Sequence, residues 1–508
     1  MKKGIFASAS VVLALGAVVG CSGGDKAPQA AGGDSGGANT KKTFTMLTES
    51  HPSWPYNKDW LIWKLIEEKT GVTLNMQVPS GKLADTINLN VASGNMPDIM
   101  FMLDRGQANK FGQQGALVNI LEYTDQMPNF KKWMAQYPDD TRSAIAADGK
   151  MYMFPNQGFG ETNRMVWLYR EDIFKKNNLK VPANYDELYE TLKKLKQLYP
   201  NTYPFSTRFG MDLALMKNLS ANFDTNEGFY VDPKTKAVKY GPIEDGYKKM
   251  VEYLAKFYKD GLMPADWLTM DTKQWQDIMS TNKSFVTVDY ISRIDFFNAS
   301  LRKDNPEFTI NLMAPPAGSP GGKQVNAFTS YLESGMTVSS TSKNIKDIMK
   351  FIDFYYTENG RDIASWGQEG VTYTVENGKK KIKSEFIDIA DLRKKTGLAT
   401  NGAYQWIDYD AHLSLASKEL QAAYTESRKY DGPYNQKPAF NEKELETIST
   451  IGQAIDKNRL ETISKFILGT KSMDEWDKYV DGVKKLGLQQ LLDTYKTAYD
   501  RTSNVSLK

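Results

Sequence analysis

Leu83, Ile87 and Val91 recur at every fourth position, the spacing that lays apolar side chains along one stripe of a helix. Gly94 follows where such a helix needs a left-handed C-cap, and Pro97 forbids continuation. The next apolar run, Ile99-Met100-Phe101-Met102, is too short for a helix and is bounded by breakers, so it predicts a strand buried on both faces of a parallel sheet. Helix, tight turn and buried strand make half of an α/β unit, which residues 115–121 extend. The same patterning predicts a first strand at 44–47 and a helix from Trp60 that stops at Gly71. Between them, 51–57 form a βα loop of the kind that meets ligands at the carboxyl ends of strands. Residues 150–155 and 165–169 read as strands around a Gly-rich polar connection. Helices follow from Arg170 and over 185–198, the latter stopped by Tyr199-Pro200. The C-terminal third reads as helical, with Asn441/Glu444 and Ser472/Glu475 as N-caps with a third-position acid, and Gly487 as the end of a helix.

The N-terminus breaks this globular pattern. Lys2-Lys3 precede an apolar run over 5–19 and the sequence Val18-Val19-Gly20-Cys21, which together read as a lipoprotein signal peptide with its acylated cysteine. Cys21 is the only cysteine among 508 residues, so neither an internal disulfide nor a catalytic thiol is available. Residues 22–43 are small and polar, a linker with an end-to-end distance of roughly 25 Å. Lys plus Arg total 64 against 61 Asp plus Glu, so no basic footprint for nucleic acid exists. Only His51 and His412 are present, neither beside a recognisable nucleophile. No phosphate-cradling loop and no metal-ligating cluster is legible, and no cofactor is expected.

Gly149-Lys150 with Tyr152 and Pro155, then Tyr169-Arg170-Glu171-Asp172, then Pro182 with Tyr185-Asp186-Glu187-Leu188, stand in a characteristic order. Ser334-Gly335-Met336-Thr337-Val338, Gly360-Arg361-Asp362, 367–373 and the terminal 476–501 continue the series. The chain thereby resembles the family 1 extracellular solute-binding proteins, carbohydrate receptors of ABC importers, and within them the large oligosaccharide and alginate-binding proteins. The resemblance implies an α/β, two-lobe, periplasmic-binding-protein-like fold, each lobe a mainly parallel sheet flanked by helices, with a helical C-terminal extension. It places 1–20 as signal peptide, 21–43 as acylated cysteine and linker, 44–157 plus 334–372 as lobe one, and 158–333 plus 373–508 as lobe two. The calcium loop of alginate-type relatives is replaced by the shorter 197–203.

Sugar recognition needs flat apolar faces together with carboxylates, amides and guanidiniums for hydroxyls. Trp54 and Trp406 sit in polar, turn-rich contexts and are candidate stacking platforms. Trp406 with Asp408 is similar to a cleft segment of the relatives, Asp289-Tyr290 stands where they carry Asp-Trp, and Arg208 matches one of their arginines. Asn156 and Gln157 lie at the inferred crossing between lobes. The expected function is a monomeric, membrane-tethered receptor on the outer face of a bacterial cell membrane, capturing an oligosaccharide for ABC permease subunits without altering it. The alternative is a lipid-anchored polysaccharide hydrolase or lyase, which would need two positioned carboxylates among the 61 acids; a receptor feeding a sensor is a third reading.

Overall fold

Gly94 adopts the left-handed conformation, φ 70°, and its N–H reaches Val91 O at 3.2 Å, closing the helix Leu83–Ser93. The strand that follows, Ile99–Met102, is buried at all four positions. A computed structural model supplies these coordinates and describes residues 42–158, 160–161, 164–211, 215–327, 332–432 and 437–503. The expected signal peptide, Cys21 and nearly all of the expected linker lie outside the described residues. Lys42 and Thr43, expected in the linker, already belong to the first strand.

Two four-stranded sheets organise the chain. The first contains β1 (Lys42–Leu47), β2 (Val72–Gln77), β3 (Ile99–Met102) and, far along the sequence, β8 (Gly335–Val338). The second contains β4 (Met165–Arg170), β5 (Phe205–Ser206), β6 (Val286–Tyr290) and β7 (Ile310–Leu312). In the first sheet the order is β8-β3-β1-β2, with β1 parallel to both β2 and β3 and only β8 antiparallel. The second, in order β5-β6-β4-β7, departs from the expected mainly parallel arrangement: β4 is antiparallel to β6 and β7, and only β5 and β6 run together. The reason is topological. The chain enters through β4 and must come back to the first sheet, so the strands that bring it back run against β4. Residues 150–155 are buried from Met151 to Asn156 but form no ladder beyond a bridge from Ile145 to Met151.

Each sheet carries its own apolar core. Around the first, Phe44, Ile99, Phe101, Trp133, Met336 and Ile352 pack together with Ile382, Leu392, Leu398, Ala403, Trp406 and Ala411. The expected boundary after residue 372 therefore does not coincide with a break in packing, because 382–411 bury their apolar side chains against the first sheet. Around the second, Trp167, Phe205, Val286 and Val288 pack against Ile463, Phe466, Trp476, Tyr479 and Leu491 from the C-terminal helices. Those helices run Glu442–Thr447, Gln453–Ile467, Trp476–Lys485 and Leu488–Ser503, with Gly487 at φ 102° between the last two. No helix among the described residues is long and apolar enough to cross a membrane.

Asn441 and Glu444 form the full reciprocal capping box, Oδ1 accepting from Glu444 N at 2.9 Å and Asn441 N donating to Glu444 at 2.8 Å. Ser472 caps instead through Asp474 N, in a 3₁₀ turn. Asn441→Ala is expected to lower stability by about 1 kcal/mol, read from the shift of the urea midpoint. The stretch 197–203 joins the helix Tyr185–Leu198 to β5, and there the Lys196 ammonium donates to Thr202 O at 2.6 Å.

Candidate functional site

Three stretches pass between the two cores, with described residues 154–158, 160–161 and 164, then 313–327 and 332–334, then 404–417, and backbone hydrogen bonds tie them side by side. Phe154 N donates to Met336 O at 2.9 Å, Gln157 N to Gln405 O at 3.0 Å, and Ile407 N back to Gln157 O at 3.0 Å. Beyond them Asn326 N donates to Tyr430 O at 2.6 Å and Gly432 N to Asn326 O at 2.8 Å. The approach is close enough to demand glycine. A Cβ on Gly158, which has φ 99°, would stand 2.4 Å from Ile407 O, and one on Gly335 would stand 2.1 Å from Phe154 O.

Of the expected site residues, four lie on these crossings. Gln157 pairs with Trp406 in a parallel bridge. Asn156 is buried; its Nδ2 donates to Ser334 O at 2.5 Å, while its Oδ1 is sealed from solvent and accepts nothing from the described residues. Trp406 corrects the expectation of a half-open indole: it is 9% exposed, packed in the first core, with Tyr137 edge-on at 6.1 Å and the Arg361 guanidinium 4.9 Å from its ring. Asp408 is spent on structure, accepting from Trp366 Nε1 at 2.8 Å and from Asp410 N at 3.1 Å to cap the helix Tyr409–Leu415. Next to Trp406, Gln405 is fully buried, and neither end of its amide has a partner among the described residues. A buried unpaired amide costs about 1–3 kcal/mol, so this junction holds an unusual concentration of unmet polar groups.

Arg208, Asp289 and Tyr290 come together at the end of β6. Tyr290 is paired with Met165, the first residue of β4, and Ile291 N donates to Arg164 O at 2.9 Å, so this end of the sheet meets the crossings. The Asp289 carboxylate is fully buried and takes four donors: Arg208 Nε at 2.5 Å and Nη2 at 3.1 Å, Arg293 Nε at 2.9 Å, and Tyr290 N at 2.8 Å. Thr272 Oγ1 accepts from the remaining Arg208 nitrogen at 3.1 Å. The rings of Phe209, Trp275 and Tyr290 stand 4.8, 5.6 and 5.7 Å from the Arg208 guanidinium. Burial pushes the Tyr290 hydroxyl up from its ordinary pKa, so it is a neutral donor.

Sequence reasoning missed Phe209. It lies 42% exposed with φ 63°, a strained conformation for a bulky side chain, and is pinned by its N–H to Met270 O at 2.9 Å. The following Gly210 also has positive φ and has no room for a Cβ, and it was the one signal available. Gln405, Arg293 and Trp275 were missed as well, because nothing local marks them.

Trp54 belongs to a third set of contacts. The His51 ring lies flat on it at 3.7 Å and 8°, and the Arg393 guanidinium comes within 4.7 Å. One face of the indole is thus covered by the protein itself. A cavity of about 160 Å³ between the helix Leu61–Thr70 and the edge strand β2 is lined by Tyr56, Lys58, Trp63, Leu74 and Met76, and none of the expected site residues borders it.

His51 Nδ1 accepts from Ser53 N at 3.1 Å. His412 has both ring nitrogens sealed from solvent, and burial, with repulsion from Arg393, lowers its pKa to about 3. Between the ordinary 6.5 and that value the unfolded chain binds a proton that the folded one refuses, so stability falls as pH drops. The expected loss is about 2 kcal/mol by pH 5. Asp140, pushed up to about 6 by burial and Asp139, acts in the opposite sense. The test is therefore the difference between wild type and His412→Leu in urea melts at pH 7 and pH 5; equal slopes with pH would dismiss it.

A family described as bacterial extracellular solute-binding protein matches residues 63–377. Polygalacturonan/rhamnogalacturonan-binding protein YtcQ of Bacillus subtilis (strain 168) is 25% identical over 520 residues, covering 96% of this chain and 97% of that protein. Fructooligosaccharide ABC transporter substrate-binding protein FusA of Streptococcus pneumoniae serotype 4 is 22% identical over 497 residues, covering 91% and 90%. Among solved structures, alginate-binding protein AlgQ2 without calcium ion superposes with a TM-score of 0.75 at 27% identity, over 91% of this chain and 99% of that one.

Proposed function

Because the chain belongs to the bacterial extracellular solute-binding protein family, we propose that it captures an oligosaccharide between two lobes and passes it, unaltered, to the permease of an ABC importer. The relatives support this: by their names they bind polygalacturonan and rhamnogalacturonan, fructooligosaccharide and alginate, and one is an ABC transporter substrate-binding protein. Lobe one is built on the first sheet and takes in 382–411; lobe two is built on the second sheet with the C-terminal helices. The crossings serve as the hinge, and the site lies where β6 ends beside them.

The observation that carries the reading is Phe209, an exposed aromatic held at positive φ next to a buried guanidinium and a neutral phenol. Backbone strain of this kind is kept where a side chain must be presented, and an aromatic face beside hydrogen-bond donors is what a pyranose needs. Phe209 and Tyr290 stack on the sugar. Arg208, Asn156 and Gln157 address its hydroxyls. Asp289, Trp406 and Asp408 hold those groups in place from behind, and Trp54 closes from lobe one with its free edge. Cys21 carries the lipid anchor and the body stands off the membrane as a monomer.

Calorimetric titration against a panel of oligosaccharides of three to six sugars, with mass spectrometry of the recovered sugar, tests this. The expected result is a micromolar or tighter complex from which the sugar returns intact, weakened about tenfold or more in Phe209→Ala, equivalent to about 1.4 kcal/mol. A shortened sugar would establish the hydrolase alternative. For the anchor, Cys21→Ala is expected to move the protein from the detergent phase to the aqueous phase with its melting temperature unchanged; retention in detergent would refute acylation.

A further inference from the structure

Several buried or half-buried arginines spend terminal nitrogens on the protein's own acids. Arg164 holds Glu161 and Asp431, Arg170 holds Asp172 and Asn282, Arg302 holds Glu419, and Arg501 holds Glu444. Arg293 does not. Its Nε donates to Asp289 Oδ1 at 2.9 Å, and its two terminal nitrogens donate to no described group. The guanidinium is nonetheless held: the rings of Trp275 and Phe296 stand 5.4 and 5.1 Å from it, and the side chain is only 17% exposed.

The local charge is uneven in the same place. One carboxylate, Asp289, serves two guanidiniums, Arg208 and Arg293, and these three are the charges that act on the Tyr290 hydroxyl. Asp295, two residues beyond Arg293, is turned away to Ser417, accepting from its N at 2.8 Å and its Oγ at 2.5 Å. Arg208 has its Nε and one hydrogen of each terminal nitrogen engaged, so its charge is already matched by Asp289 and it keeps only single N–H groups for a hydroxyl. Arg293 is left as an oriented fork with surplus positive charge, at the end of β6 that meets the crossings.

The geometry points to a carboxylate subsite at Arg293, by which this receptor selects oligosaccharides containing uronic acids; the inference rests on the oligosaccharide reading above. Two parallel N–H groups of a planar guanidinium match the two oxygens of a carboxylate, and a partly desolvated surplus charge gains from an incoming opposite one. A hydroxyl meets that fork with a single oxygen and neutralises nothing. Phe296, 46% exposed and 5.1 Å from the Arg293 guanidinium, offers an apolar face for the ring that carries the acid.

The test titrates the full chain with trimers to hexamers of galacturonic, mannuronic and guluronic acid, with the methyl esters of the same oligomers, and with neutral oligosaccharides. Wild type is expected to bind one of the acids at least tenfold more tightly than its ester, with the gap narrowing as salt is raised. In Arg293→Gln the acid is expected to fall to the ester's affinity while the ester is unmoved, because Asp289 keeps Arg208. Equal binding of acid and ester by wild type, or an equal loss of both in the variant, would overturn the subsite, and the wild-type comparison stands even if the variant does not fold. Binding of neutral oligosaccharides with rejection of every uronide overturns the subsite alone. Binding of no sugar at all overturns the receptor reading and the subsite with it.

Discussion

Asp289→Ala is expected to lower the free energy of unfolding by about 3–5 kcal/mol, the usual cost of removing one partner from a buried ion pair. The carboxylate is fully buried and satisfies four donors, two guanidiniums among them. Its removal leaves the buried Arg208 without its opposite charge and with only Thr272 and the surrounding rings as company. Urea unfolding followed by circular dichroism reads the effect directly, and a loss below about 1 kcal/mol would mean that the guanidiniums find water or another acid.

Trp406→Ala is expected to cost a comparable 3–5 kcal/mol, since truncating a buried indole forfeits its burial and leaves a cavity. Read as a half-exposed platform, the same residue would have lost affinity and kept its stability. At 9% exposure, wedged among Tyr137, Arg361 and the first core, it is packed as a core side chain. Melts and titrations on one variant separate the two roles: an unchanged melting temperature would return Trp406 to the site.

That reversal marks where the sequence is legible. Gly94, Pro97 and 99–102 were readable because helix end, turn and buried strand are set by neighbours within a few residues. The Asn441 capping box and the helix Tyr185–Leu198 came out for the same reason. Trp406 did not, because its polar flanks suggest exposure while its burial is decided by Tyr137, 269 positions earlier, and by Arg361. The direction of β4 against β6 was equally hidden, since an apolar strand reads alike in either direction and only the register of Met165 with Tyr290 settles it. Arg208 and Asp289 stand out in the sequence, but the residue that joins them in space, Arg293, sits four residues beyond in an unremarkable helix start. Its importance comes from what its nitrogens lack, and that is visible only in three dimensions.

Neither core is made from a continuous piece of chain. The first joins residues near 44–154 to others near 336–411, and the second joins 167–313 to 455–491. β8 must find β3 across more than two hundred residues, and although Trp167 and Phe205 pack on each other and on Tyr185 and Phe257, their core is completed only by the last helices. A polypeptide emerging N-terminus first therefore cannot complete either core early: loop closures this long are slow. The two halves should gain amide protection late and nearly together, leaving the chain open for most of the time it takes to leave the cell.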